Sequence, residues 1–378
     1  MNILLFGEYS GFFNHLKSGL IELGHTVTLA AREDGFKAYA TDINLEDKRR
    51  NNTTWLLFRK AIHKIFNYDI SGLKVYQNFK RNRHRFTNFD VVFLINPFPL
   101  QTHPKLEKNI LQFLFKNNSK VFLSACGDDY QYNNYLKTND LKYSILDPYF
   151  EDSNKRKFFR DSLKYLKSSQ KLLHDYVISN CAGIIAANMD YAMAYANTPR
   201  YLGYVPFPFK MNLDEQEIVE AEKLTIFHGI NSFNYYKKGN HIFEEALAII
   251  KNKYGEQIKV IETHDLPYQE YIEATKSADI LLDQVYSYSQ GYNALEAMSQ
   301  GKIVFSGAED RWLAYFNIEK DSVVINAEPN VDYLVEKLEG LIKDRELRQR
   351  IKLSAKRFVE TEHNHKKQAE AYIKIWTA

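Results

Sequence analysis

Apolar residues come along this chain in two alternating rhythms. Short, nearly unbroken apolar runs of strand length are "NILLFG" (2–7), "HTVTLAA" (25–31), "DVVFLIN" (90–96), "KVFLSACG" (120–127) and "CAGIIAAN" (181–188). Stretches with helical spacing lie between them, at 12–24 and near 105–117, and a long polar stretch over 152–179 reads as one helix. Apolar runs bounded by turn residues suit strands buried on both faces, as in a parallel sheet. The run "YVPFPFKMN" (204–212) holds two prolines and no period, and it reads as a linker between domains. The alternation then restarts with "LTIFHG" (224–229), a helix over 239–253, "QIKVIET" (257–263), a helix over 268–276, "ADILLDQV" (278–285) and "KIVFSG" (302–307). From Val331 on the chain is helical and highly charged. Strands alternating with helices in both halves predict an α/β protein of two Rossmann-like, doubly wound domains.

One crossover carries an acid in an unexpected place. In "SQGYNALEAMSQGK" (289–302), Gly291 precedes a short apolar helix, Gly301 stops it, and Glu296 sits one turn in. The N-terminus of such a helix faces the crevice beyond the strand ends, where phosphate-bearing ligands bind. Glu296 either looks into that crevice or is a solvated first-turn glutamate facing the helix dipole. Position alone leaves the two readings level.

Three other stretches bear on chemistry. In "FHGINSFNYYKKGNHIFEEAL" (227–247), Gly229 ends a strand, and Lys237 and Lys238 stand before the next helix. Two cations at a helix start oppose the dipole but suit a pyrophosphate. "SACGDDYQY" (124–132) ends a strand with Asp128 and Asp129. Adjacent residues there point different ways, so one faces the cleft and the other caps the following turn. Gly7 and Gly11 flank the first turn, but "GEYSGF" lacks the spacing of a dinucleotide fingerprint.

Charge is uneven. The chain of 378 residues has a formal net charge of +3, yet eleven Lys/Arg between Lys48 and Arg85 face one acid, Asp69, which makes that segment +10. Within it Trp55, Phe58, Ile62, Ile65 and Phe66 fall near one helical face. Such a helix lies on anionic membrane or packs its apolar face on the first domain. Nothing else resembles a nucleic-acid module, so nucleic acid is not expected as a partner. Cys126 and Cys181 form no CxxC pair, the N-terminus has no basic leader, and no apolar run reaches membrane-span length. A cytoplasmic protein is expected.

Taken together these residues resemble the GT-B glycosyltransferases, most closely the retaining glycosyltransferase family 4. Gly291, Leu295, Glu296, Ala297 and Met298 match that family's G-x-x-x-L-E-A-M frame, "KKG" ending at Gly239 resembles its Lys-Gly, and "SACGDD" resembles its H-G-x-D strand ending. The resemblance implies two Rossmann-like domains about a cleft: an acceptor-side domain at 1–205 with the basic insertion 48–85, a donor domain at 206–360, and a last helix, 361–378, returning to the first domain. It implies a nucleotide-sugar donor and a glycan or lipid-linked acceptor in cell-surface polysaccharide or glycoconjugate synthesis, with neither metal nor cofactor. By matching position the donor would meet Gly11, Gly229, Lys237, Lys238, Tyr288, Gly291, Tyr292, Asn293 and Glu296, with Glu296 on the ribose hydroxyls. Asp129 and Lys238 would take the catalytic places. Three positions depart: Tyr288 replaces the family's first glutamate, Ile230 an arginine and Cys126 a histidine. A catalytically silent nucleotide-sugar-binding subunit and a GT-B nucleotide-sugar epimerase are the alternative readings.

Overall fold

In the computed structural model the described residues are 1–32, 39–47, 70–138, 141–211 and 223–378. The first sheet has seven strands: β1 (Asn2–Phe6), β2 (Thr26–Ala31), β3 (Ile43–Asn44), β4 (Val91–Leu94), β5 (Lys120–Ala125), β6 (Gly183–Ala186) and β7 (Tyr201–Tyr204). Their order is β3-β2-β1-β4-β5-β6-β7, and every pair is parallel. The second sheet has five: β8 (Leu224–Ile230), β9 (Ile258–His264), β10 (Ile280–Leu282), β11 (Ile303–Ser306) and β12 (Ile325–Asn326), in the order β12-β11-β10-β8-β9, again parallel. In both sheets the order reverses beside the first strand, which opens a crevice at the carboxyl ends. Two doubly wound α/β domains therefore face each other, as the apolar runs predict.

The strands β1, β4, β6 and β11 are buried almost throughout, because helices cover both faces of each sheet. The last helix, His365–Thr377, crosses back and lies along the first helix, Phe12–Glu22. Gly19 permits the crossing, since a Cβ there would stand 2.3 Å from the carbonyl oxygen of His365. Tyr372 and Trp376 are buried in the first domain, where Trp376 meets Phe93 at 5.3 Å between ring centroids and its carbonyl accepts from Lys120 Nζ at 3.1 Å. Each such aromatic contributes about 2–3 kcal/mol of burial. In the 204–212 run Pro206 and Pro208 each precede a buried phenylalanine, Phe207 and Phe209; Phe209 N donates to His363 O at 2.6 Å.

The expected single helix over 152–179 is instead broken. It forms 3₁₀ turns at Ser153–Phe159 and Lys164–Leu166 around a short helix, Arg160–Leu163, before the helix Ser168–Asn180. Phe159, Ser162 and Tyr165 are the buried positions, a spacing of three. Of the basic segment 48–85, residues 48–69 lie outside the described residues. The remainder forms the helix Ile70–Asn82, which packs Val75 and Phe79 into the first-domain core. Among the described residues no helix is long and apolar enough to cross a membrane.

Candidate active site

The carboxyl ends of the two sheets enclose two connected chambers, of about 780 and 400 Å³. Tyr9, Ser10, Lys238, Gly291 and Tyr292 line both, so the chambers form one cleft between the domains. On the second-domain wall the larger chamber meets Gly229 at the end of β8, and Gly291, Tyr292 and Asn293 at the start of the helix Tyr292–Ser299. That helix has no side-chain cap and no acid in its first turn. The helix Asn240–Tyr254 begins the same way, with Gly239 at φ 70° as its cap. A Cβ at Gly239 would lie 2.2 Å from Val285, so glycine serves both the left-handed turn and the close packing. Beneath it the buried His228 Nε2 meets Asn240 Oδ1 at 3.0 Å, and burial lowers the histidine's pKa, favouring the neutral ring.

Both predicted lysines line the cleft, each beside a carboxylate. Lys238 Nζ lies 2.9 Å from Asp283 Oδ1, which also accepts from Asn293 Nδ2 at 3.2 Å, while Ser306 Oγ donates to Oδ2 at 3.0 Å. Lys237 Nζ lies 3.0 Å from Asp128 Oδ2 of the other domain, an oxygen that also accepts from Ser162 Oγ at 2.8 Å. Burial raises the Asp128 pKa, but Lys237 and the Ser162 hydroxyl outweigh it and hold the carboxyl below its usual range.

Four predicted residues stand elsewhere than expected. Asp129, assigned a catalytic place by the resemblance, does not line the cleft: it is buried, accepting from Tyr132 N at 2.7 Å and from Tyr195 OH at 2.6 Å. It caps the turn into the helix Tyr130–Thr138, and burial pushes its pKa to about 7 against those hydrogen bonds. The cleft-facing acid of the pair is Asp128. Gly11 also lies off the cleft, facing the ring of Tyr39; its N–H donates to Glu8 Oε1 at 2.9 Å. Tyr288 points into the domain interface, its hydroxyl 3.1 Å from the Tyr143 carbonyl and its ring 5.3 Å from that of Tyr143. Glu296 is half-buried behind Tyr268, whose hydroxyl donates to its Oε1 at 2.7 Å; Tyr268, not Glu296, lines the large chamber.

Three groups escaped the sequence reading. Glu8 lines the larger chamber and accepts from Gly11 N, Asn14 N and Asn14 Nδ2, closing the N-terminus of the first helix. Burial pushes its pKa to about 7 despite those bonds. Asp190, buried in the first domain, accepts from Tyr288 N at 3.1 Å and Ser289 Oγ at 2.8 Å, tying down the loop before the helix Tyr292–Ser299. Tyr271 holds Asn293 through a 2.8 Å hydrogen bond to Oδ1. The acid three residues before Gly11 was a local signal for Glu8; contacts across about a hundred residues left none for Asp190. Among the described residues no group of His, Cys, Asp and Glu could hold a metal ion.

Comparison with known proteins agrees with this geometry. Residues 235–374 match the family model described as glycosyl transferase-like. The sucrose-phosphate synthase of Thermosynechococcus elongatus superposes with a TM-score of 0.62 at 12% identity, over 100% of this chain and 98% of that one. S. aureus TarM, solved as a mutant with Fondaparinux, alpha-GlcNAc-glycerol and UDP, gives 0.60 at 9%, over 100% and 99%. Anabaena HepE in complex with UDP and glucose gives 0.56 at 12%, over the whole of both chains. No curated protein matches the sequence. The whole chain has the GT-B fold, and its residues 235–374 match the glycosyl transferase-like model.

Proposed function

We propose that this protein transfers a sugar, with retention of configuration, from a nucleotide-sugar to a glycan or lipid-linked acceptor in cell-surface polysaccharide or glycoconjugate synthesis. The observation that carries the reading is the second-domain wall of the cleft. An uncapped helix N-terminus, at Gly291, stands there with Lys238, and Lys237 reaches the diphosphate from the adjoining smaller chamber. Exposed N–H groups and an ammonium together hold a diphosphate and stabilise it as it departs. The ribose then lies toward Tyr268 and Glu296, and the sugar toward the smaller chamber, where the first domain supplies Asp128. The departing phosphate itself takes the acceptor's proton, so no protein nucleophile is invoked.

UDP is the first nucleotide to test, because HepE and TarM were solved with it. Incubation with UDP-, GDP- and ADP-sugars, followed by product analysis, should show release of a nucleoside diphosphate that EDTA leaves unchanged. A changed sugar without acceptor would indicate an epimerase, and binding without turnover a silent subunit. We extend the reading to peripheral contact with anionic membrane through the basic segment 48–85. Co-sedimentation with anionic vesicles at low salt, lost at high salt, is the expected outcome.

A further inference from the structure

The two cleft lysines differ in what holds them. Asp283, the partner of Lys238, belongs to the same domain, has a side chain only 2% exposed, and keeps Ser306 and Asn293 as donors if Lys238 turns away. Asp128, the partner of Lys237, reaches across from the other domain, and the two side chains are 20% and 19% exposed. Both line the smaller chamber. The resemblance gives Asp128 no role; the acid it singles out is Asp129, which is buried elsewhere.

We propose that Asp128 competes with the donor's diphosphate for Lys237 and thereby sets how tightly the diphosphate is held. This rests on the reading of the two lysines as diphosphate ligands. A diphosphate entering the cleft meets an ammonium that already carries a carboxylate. Whether Lys237 leaves Asp128 or is shared, the carboxylate charge opposes the incoming anion through that lysine. Release of Asp128 is feasible because Ser162 Oγ stays bound to it and the charge of Lys164 also acts on it. Lys238 has no such cross-domain competitor, so the two lysines contribute unequally.

Calorimetry on the full chain with UDP, GDP and ADP, using whichever binds most tightly, tests the idea. Asp128→Asn should tighten binding about fivefold, the scale of one partly exposed ion pair. Lys237→Met should weaken it about tenfold. In the double variant the gain from Asn should vanish, because no ammonium is left to contest. Unchanged or weaker binding in Asp128→Asn overturns the proposal, and so does an equal gain in the Lys237→Met background, which would mean direct repulsion. Asp128→Ser, with a melting curve for each variant, guards against misfolding. If no diphosphate binds the wild type or Asp128→Asn, the donor-site reading falls as well. Binding that does not respond at Asp128 overturns the competition alone.

Discussion

Each domain turns a helix N-terminus toward the same cleft, and the two ends are finished differently. In the first domain Glu8 accepts from Gly11 N and Asn14 N at 2.9 Å each, so an internal carboxyl group already occupies the anion-binding end of the helix Phe12–Glu22. In the second domain the helix Tyr292–Ser299 starts at Gly291 with no side-chain cap and no first-turn acid. The first helix starts from a left-handed Gly11 at φ 92° and is closed, whereas the second starts from an extended Gly291 at φ −98° and is open. The first-domain helix end is already satisfied from within the chain, while the second leaves its end open to an anion.

The largest expected effect tests the closed end. Burial raises the Glu8 pKa from 4.5 to about 7, so the folded state prefers the protonated acid. Its contribution to stability is complete below pH 4.5 and is lost as the pH rises through about 7. Relative to wild type, Glu8→Gln should therefore gain stability between pH 5 and 8, by up to about 3 kcal/mol in denaturant melts. Buried His174 and His363, with pKa values lowered to about 4 by burial, push the opposite way in both proteins and cancel in the difference. A pH-independent difference would mean that Glu8 is not the buried cap described.

Next comes the open end. Lys238→Ala should weaken nucleoside diphosphate binding by roughly 1.5–3 kcal/mol, ten- to a hundredfold, and leave the bare nucleoside almost unchanged. Glu296→Ala should instead weaken both ligands alike, by about tenfold, since it releases the Tyr268 hydroxyl that faces the ribose common to them. Equal losses on both ligands for Lys238→Ala would point to a structural role beside Asp283.

The smallest effect comes from making the open end resemble the closed one. Asn293→Asp places a carboxylate in the first turn of the helix, near Asp283. Diphosphate affinity should fall about fivefold, matching a dipole and charge effect near 1 kcal/mol, with a steep dependence on salt. Unaltered affinity would separate the phosphates from this helix.

The βα alternation was legible because strands buried on both faces must be apolar runs and their covering helices amphipathic. The cleft-lining positions of both lysines, Gly229, Gly291, Tyr292 and Asn293 were legible too, since each lies at a strand end or helix start. The 3₁₀ turns at Ser153–Phe159 and Lys164–Leu166 were not legible, because each buries a single residue, Phe159 or Tyr165, among polar neighbours that carry no period.

The sequence by itself determined the two-domain α/β architecture and the short motifs whose chemistry is local: a glycine before a helix, two lysines beside another, an acid pair after a strand. Only the tertiary structure decided between Asp128 and Asp129. Tyr195, from a helix more than sixty residues away, takes up one carboxylate, and Lys237 from the other domain meets the other. It likewise turned Tyr288 onto Tyr143 and set Tyr268 before Glu296. A side chain's direction depends on which distant partners satisfy its charge and hydrogen bonds, and that pairing exists only once the two sheets have met.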